Sequence, residues 1–219
     1  MKANQHSIRI SKTAHYYTMG NDINAADNIW ILIHGYGQLA SRMIGKFSCD
    51  TSYNNFYIAP EALSKYYVRR QPNQVGASWM TQEHRLDEIE DYVSYLTELI
   101  TPIADNLQDH QNLNILGFSQ GTSTMWRWIN HSRLNFKTIV HWAGEFPKEI
   151  NYGTITPYLH TIDHKYFCLG DNDEYLTEEH KQLLQAFVKS NDLNMKFKFF
   201  SGTHVIDQPT FDSICSEII

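Results

Sequence analysis

The stretch "GFSQG" places Ser119 between Gly117 and Gly121, with Phe118 and Gln120 beside it. This G-x-S-x-G spacing suits a serine on a sharp turn between a strand and a helix. Neighbouring chain passes close to such a turn, so glycine is needed on both sides. The turn lifts the serine oxygen above the sheet and aims the first amide N–H groups of the new helix into the same space. The chemistry on offer is nucleophilic attack. A serine hydroxyl is weak in that role unless a base takes its proton and a carboxylate orients the base.

With an elbow of this kind the partners follow in the order serine, acid, histidine. Of the eleven histidines, His131, His141, His160, His164, His180 and His204 follow Ser119. His204 stands in "FFSGTHVID", a glycine-containing loop just past an apolar run, and is the expected base. His180 lies among Glu178, Glu179 and Lys181 on a solvated helix face, and His141 is packed within a strand. His131 ends a helix, and His160 and His164 precede the acids. The acid comes from "CLGDNDEYL", where Asp171, Asp173 and Glu174 all follow a strand. Asp173 is taken as the acid and Asp171 as the turn residue, a choice the sequence alone scarcely makes.

Developing negative charge on the substrate needs donors as well. "LIHGYGQ" carries Gly35 and Gly37, and an exposed backbone there can present N–H groups. The expected oxyanion donors are the main-chain N–H groups of Tyr36 and Gln120. His34 is expected to hold this turn by a hydrogen bond rather than to act as a second base. Trp79, Met80, Phe118 and Phe146 are candidates to line an acyl pocket, since such sites are mostly apolar. Core packing is the competing reading for each. "HTIDH" sets His160 and His164 four apart, but Pro157 and the strand signal after them indicate a loop, so no metal site is expected. H-E-x-x-H, P-loop and C-x-x-C motifs are absent from the sequence.

The elements that must position these residues alternate between short apolar runs and longer periodic ones, as in an α/β domain. "SIRI" and "AHYYTM" read as a leading antiparallel pair. "NIWILIHG" is nearly all apolar and suits a strand covered on both faces. "NFYIAP" is a strand stopped by Pro60. In "RLDEIEDYVSYLTELITPI", Ile89, Tyr92, Val93, Leu96, Leu99, Ile100 and Ile103 recur at spacings of three and four, one face of a helix that Pro102 should end or kink. "LNILGF" leads into the elbow and "SQGTSTMWRWINH" is the helix after it. "FKTIVHWAG" and "HKYFCLG" are further strands. "TEEHKQLLQAFVKS" is a helix capped by Thr177, "MKFKFF" an outer strand, and "TFDSICSEII" a closing helix. The segment "ALSKYYVRRQPNQ" reads equally as a flap near the site or a passive loop. A mostly parallel sheet with helices on both faces follows, with chemistry at the carboxyl ends of its strands.

The bulk properties are consistent with one domain spanning residues 1–219. The chain has 219 residues, 42% of them hydrophobic, and a formal charge of −6. The only adjacent basic pair is Arg69–Arg70, so nucleic acid is not an expected partner. The three scattered cysteines, Cys49, Cys168 and Cys215, fit free thiols in a reducing compartment. The first residues lack a signal-peptide core, and no run approaches the roughly 18 apolar residues of a membrane span. The reading is a soluble, cytoplasmic protein without stable membrane insertion.

Taken together, "LIHGYG", "GFSQG", "GDNDEYL" and "GTH", in that order, resemble the phospholipase/carboxylesterase family of α/β-hydrolases, which includes the acyl-protein thioesterases. "SWM" at 78–80 looks like the family's tryptophan loop, and "HWAGEFP" like its strand ending in a small-residue turn and proline. The resemblance implies an α/β-hydrolase fold. It matches Ser119 to the nucleophile, Asp173 to the second aspartate of G-D-x-D, His204 to the terminal histidine, and Tyr36 and Gln120 to the oxyanion positions. It also implies hydrolysis of small-molecule carboxylic esters or thioesters without a cofactor. The chain departs from the family pattern at Gln38, where aspartate is common, at Glu174, where proline is common, and at Thr122, where a second glycine is common. The stretch from Ala62 to Ala77 is longer than expected. The rival reading is a non-catalytic protein of the same fold that only binds a ligand or partner.

Overall fold

Four apolar runs in this chain have no polar side, and each becomes an interior strand. The computed structural model describes residues 3–47, 53–69 and 73–218. Cys49, Arg70 and the tip of the 62–74 segment lie outside them. The runs are β2 (Asn28–Ile33), β6 (Asn112–Phe118), β7 (Thr138–Trp142) and β8 (His164–Gly170), buried along nearly their whole length. Side chains alternate between faces, so burial of every position requires cover on both sides.

The main sheet has seven strands in the order β1-β3-β2-β6-β7-β8-β9. β1 (Tyr16–Met19) lies antiparallel to β3 (Asn55–Pro60), and the remaining pairs are parallel. β9 (Lys196–Phe200) is the far edge. The helices are α1 (Ala40–Ile44), α2 (Arg85–Ala104), α3 (Gln120–Ser132), α4 (Tyr152–Leu159), α5 (Glu178–Ser190) and α6 (Gln208–Glu217). This is an α/β-hydrolase-like fold, a mostly parallel sheet covered by helices. Strand order reverses between β2 and β6, because β3 follows β2 outward on one side while β7 follows β6 on the other. Such a switch point opens a crevice at the carboxyl ends of the two strands. The loop carrying Tyr36 leaves β2 there, and Ser119 leaves β6 there.

Several expectations need correction. "SIRI" forms no strand: residues 7–10 are exposed, and β1 finds its antiparallel partner in β3 instead. α2 runs past Pro102 to Ala104, because a proline in the last turn removes only one backbone bond. Residues 152–159, for which no element was expected, form α4 with Tyr152, Ile155 and Leu159 buried at helical spacing, and the loop expected at "HTIDH" follows it over 160–163. The segment after Ala62 is a hairpin, β4 (Ser64–Tyr67) paired with β5 (Val75–Ser78). Thr177 caps α5 by accepting from the His180 N–H. Cys168 is a buried free thiol, and Cys215 is buried as well. Among the described residues no helix is long and apolar enough to cross a membrane.

Candidate active site

Ser119 occupies the junction between β6 and α3 with φ 54° and ψ −121°. Positive φ is rare outside glycine and costs energy that the surroundings must supply. Here the surroundings are specific. The Ser119 N–H donates to Trp142 O at 2.9 Å, and Ser119 O accepts from the Thr122 N–H at 3.0 Å and the Thr122 hydroxyl at 2.7 Å. Thr122, a departure from the family pattern, therefore fastens the turn with its own side chain. A Cβ on Gly121 would stand 2.2 Å from Ile33 O, so only glycine lets α3 begin against the end of β2.

The loop after β2 meets the elbow directly: a Cβ on Gly35 would lie 3.0 Å from Ser119 Cβ. This loop is held by neutral groups. The Gln38 side-chain Oε1 accepts from the Gly35 N–H at 3.1 Å. The Gly37 N–H donates to Ala77 O at 2.8 Å, and the Ala77 N–H returns to Gln38 O at 3.1 Å, so β5 is stitched to the loop. Buried His34 donates from Nδ1 to Gly35 O at 2.8 Å and accepts from the Ala62 N–H on Nε2 at 3.1 Å. Burial pushes its imidazole down to about 4, against weaker upward pulls from the Gly35 carbonyl and Glu61. His34 is thus a neutral strut with both ring nitrogens occupied.

The same strand reaches the other expected donor. The Gln120 side chain accepts from the Trp79 N–H at 3.1 Å and donates to Met80 O at 2.9 Å and Ser78 Oγ at 3.3 Å. The sequence reading gave Gln120 a main-chain role in which the side chain mattered little; in the fold that side chain ties α3 to the 78–80 loop. The N–H groups of Tyr36 and Gln120 have no backbone acceptor among the described residues, as expected of a loop tip and a first helical turn.

On the opposite side, β8 and β9 end next to each other and deliver the charged groups. His204 Nδ1 donates to Asp173 Oδ2 at 2.7 Å. Asp173 is buried and its other oxygen accepts from the Tyr175 N–H at 2.9 Å. Asp171 is directed elsewhere: it accepts from the Gly202 N–H at 2.9 Å, and that bond above all holds its carboxyl below the usual range. Glu174 accepts from the His204 N–H at 3.2 Å. Sequence reasoning missed this contact, although an acid beside Asp173 was its only available signal. The His204 ring lies between Phe118, with centroids 4.9 Å apart, and Tyr175, at 4.7 Å. With Nδ1 occupied by Asp173, the lone pair of His204 is on Nε2. The Ser119 hydroxyl forms no hydrogen bond with a described residue.

The four pocket candidates divide. Trp79, Phe118 and Phe146 are buried, and Met80 is partly exposed. Trp79 donates from Nε1 to His34 O at 2.9 Å. Phe146 stacks on His141 at 4.2 Å and on Phe187 at 4.8 Å, as a core residue does. His141 is neutral as well, accepting from Trp126 Nε1–H at 2.9 Å and donating to Gly144 O at 2.8 Å, and burial pushes it down to about 4. Among the described residues no group of three or more metal-ligating side chains converges.

Residues 16–218 match the family model described as Phospholipase/Carboxylesterase. No curated protein gives a significant match. Among solved structures, acyl-protein thioesterase 2 of Zea mays superposes with a TM-score of 0.68 at 17% identity, over 94% of this chain and 98% of that one. A carboxylesterase of Mesorhizobium loti gives 0.68 at 14% identity, over 94% of each chain. Esterase PE8 gives 0.67 at 19% identity, over 95% of this chain and 100% of the other. At these identities the structural likeness concerns the fold.

Proposed function

We propose, from the premise that the chain belongs to the phospholipase/carboxylesterase family and is a carboxylic ester hydrolase, that Ser119, His204 and Asp173 form its catalytic triad within a single α/β-hydrolase domain. The observation that carries this reading is the 2.7 Å bond from His204 Nδ1 to buried Asp173. It sets the tautomer that leaves Nε2 free to take a proton. In the proposed cycle Ser119 attacks the carbonyl of a small-molecule ester or thioester while Nε2 accepts the hydroxyl proton. The Tyr36 and Gln120 N–H groups hold the tetrahedral oxyanion. Nε2 then protonates the departing alcohol or thiol, leaving an acyl-serine that water cleaves by the same route. The Ser119–Nε2 bond forms as substrate settles, since catalytic hydrogen bonds often tighten only in the complex. The buried thiol of Cys168 fits a reducing compartment.

The unbonded Ser119 hydroxyl favours one second reading, a fold that binds ligand without chemistry. A fluorophosphonate probe separates the two, because only an activated serine reacts. Wild-type protein is expected to label and to hydrolyse p-nitrophenyl acetate. Ser119→Ala should lose labelling and about a millionfold in kcat with its circular dichroism unchanged. Wild-type turnover in Ser119→Ala would overturn the triad.

A further inference from the structure

With Asp173 on Nδ1, His204 can return its proton to a departing group only from Nε2. The leaving oxygen or sulfur must therefore come within hydrogen-bond reach of this ring, and whatever flanks the ring flanks the leaving group. Two aromatic rings flank it. Phe118 is buried, and its surface is spent on the chain beside it. Tyr175 is different: its ring meets the imidazole at 4.7 Å with an interplanar angle of 66°, yet the residue is 70% exposed.

Nor is that ring loosely attached. The Tyr175 N–H is held by Asp173 Oδ1 at 2.9 Å, and the next residue, Leu176, is buried and donates its N–H to Asp173 O at 3.3 Å. The acid that orients the base thus also fixes the backbone carrying the ring. Glu174, between them, spends its carboxylate on the His204 N–H. Val205, the residue after the histidine, is 40% exposed.

We infer that Tyr175 is the leaving-group subsite of this enzyme, a fixed aromatic wall selecting esters whose alcohol or thiol portion is aryl or otherwise planar and apolar. The inference rests on the proposed triad and adds to it the chemical class of the departing group. An aromatic ring placed in this way packs edge-to-face or offset against a second ring and gives little to a small alkyl group.

Phenyl acetate and ethyl acetate test this, because both pass through the same acetyl-serine and differ only in what leaves. The readout is kcat/KM for each ester in wild type, Tyr175→Ala and Tyr175→Phe, with fluorophosphonate labelling of all three. Tyr175→Ala should lower the phenyl acetate value about fivefold and move the ethyl acetate value by less than about twofold. Tyr175→Phe should keep both. Comparing each variant with wild type cancels the intrinsic reactivity of the two esters. Equal losses on both would make the ring a mere support for His204 and overturn the subsite, as would no loss on either. A wild type that neither labels nor turns over would fail the hydrolase reading itself and take the subsite with it.

Discussion

On one side of Ser119 the chain is held by uncharged amides, and on the other by carboxylates. The proposed oxyanion side has Gln38, Gln120, the backbone of β5 and neutral His34 around the 34–38 loop, and the buried carboxylate of Glu61 meets the chain only past that loop, at the Ala40 N–H. The proposed acid–base side has Asp171, Asp173 and Glu174 bonded to Gly202, His204 and the His204 main chain. The division follows from what each side must do. Donors to an oxyanion must stand ready without changing charge, and preorganised dipoles that stay neutral at working pH achieve this. A base that becomes an imidazolium needs a counter-charge beside it. The contrast predicts that chemical damage on one side acts through protonation, and on the other through geometry alone.

The sharpest way to break the contrast is Asp173→Asn. The amide oxygen can keep the Tyr175 N–H, which turns the amide NH2 toward His204 Nδ1. The imidazole must then carry its proton on Nε2 and cannot accept one from Ser119. By precedent kcat should fall about 10⁴-fold, with the fold intact by circular dichroism. A loss below about tenfold would mean that a neighbouring carboxylate, Asp171 or Glu174, substitutes, and that the acid–base side is less specific than its hydrogen bonds imply.

The two sides also differ in how far the sequence discloses them. Acid–base chemistry needs particular side chains, so a serine between glycines, a last histidine in a glycine loop and an acid cluster are visible in one dimension. β2, β6, β7 and β8 are visible for a similar reason, since burial on both faces leaves uninterrupted apolar runs. Oxyanion donors are main-chain groups and carry no residue signature. What holds them depends on pairings such as Gln120 with Trp79, which only the fold creates. The β4–β5 hairpin was illegible because its burial alternates but its residue types do not, with polar Ser64 turned inward and aromatic Tyr67 exposed, and because β5 bonds to a loop rather than to the main sheet. α4 was hidden by Pro157, whose local penalty is outweighed by burial of Tyr152, Ile155 and Leu159.

Stability against pH sharpens the comparison from the neutral side. His34 and His141 are both pushed down to about 4 by burial, whereas an unfolded histidine titrates near 6.5. The folded chain keeps both rings neutral where the unfolded chain binds protons. Their contribution is whole above about pH 6.5 and is lost as pH falls toward 4, on the order of 3 kcal/mol for each ring. His164, also lowered by burial, adds in the same direction. Urea denaturation at half-unit steps from pH 7 to 5 measures the slope. His141→Asn should remove up to about 1.4 kcal/mol per pH unit from it, whatever the substitution costs in absolute stability. An unaltered slope would mean that His141 does not gain a proton on unfolding.

The smallest effect tests the geometric side most directly. Gln120→Ala keeps the main-chain N–H proposed as an oxyanion donor but removes the bonds to Ser78, Trp79 and Met80. The first turn of α3 then loses its tie to the strand that also stitches the Tyr36 loop, and the two donors lose their common spacer. A missing donor costs about 10²–10³ in kcat; a donor kept but loosened should cost roughly tenfold, with KM for a small ester little changed. Because no charge is removed, the pH dependence of kcat should superimpose on that of wild type. Gln120→Glu can still accept from the Trp79 N–H but sets a carboxylate against Met80 O, so it should recover only part of the loss. A shifted pH profile in Gln120→Ala would show that the amide side also tunes the base, and the division between the two halves of the site would fail there.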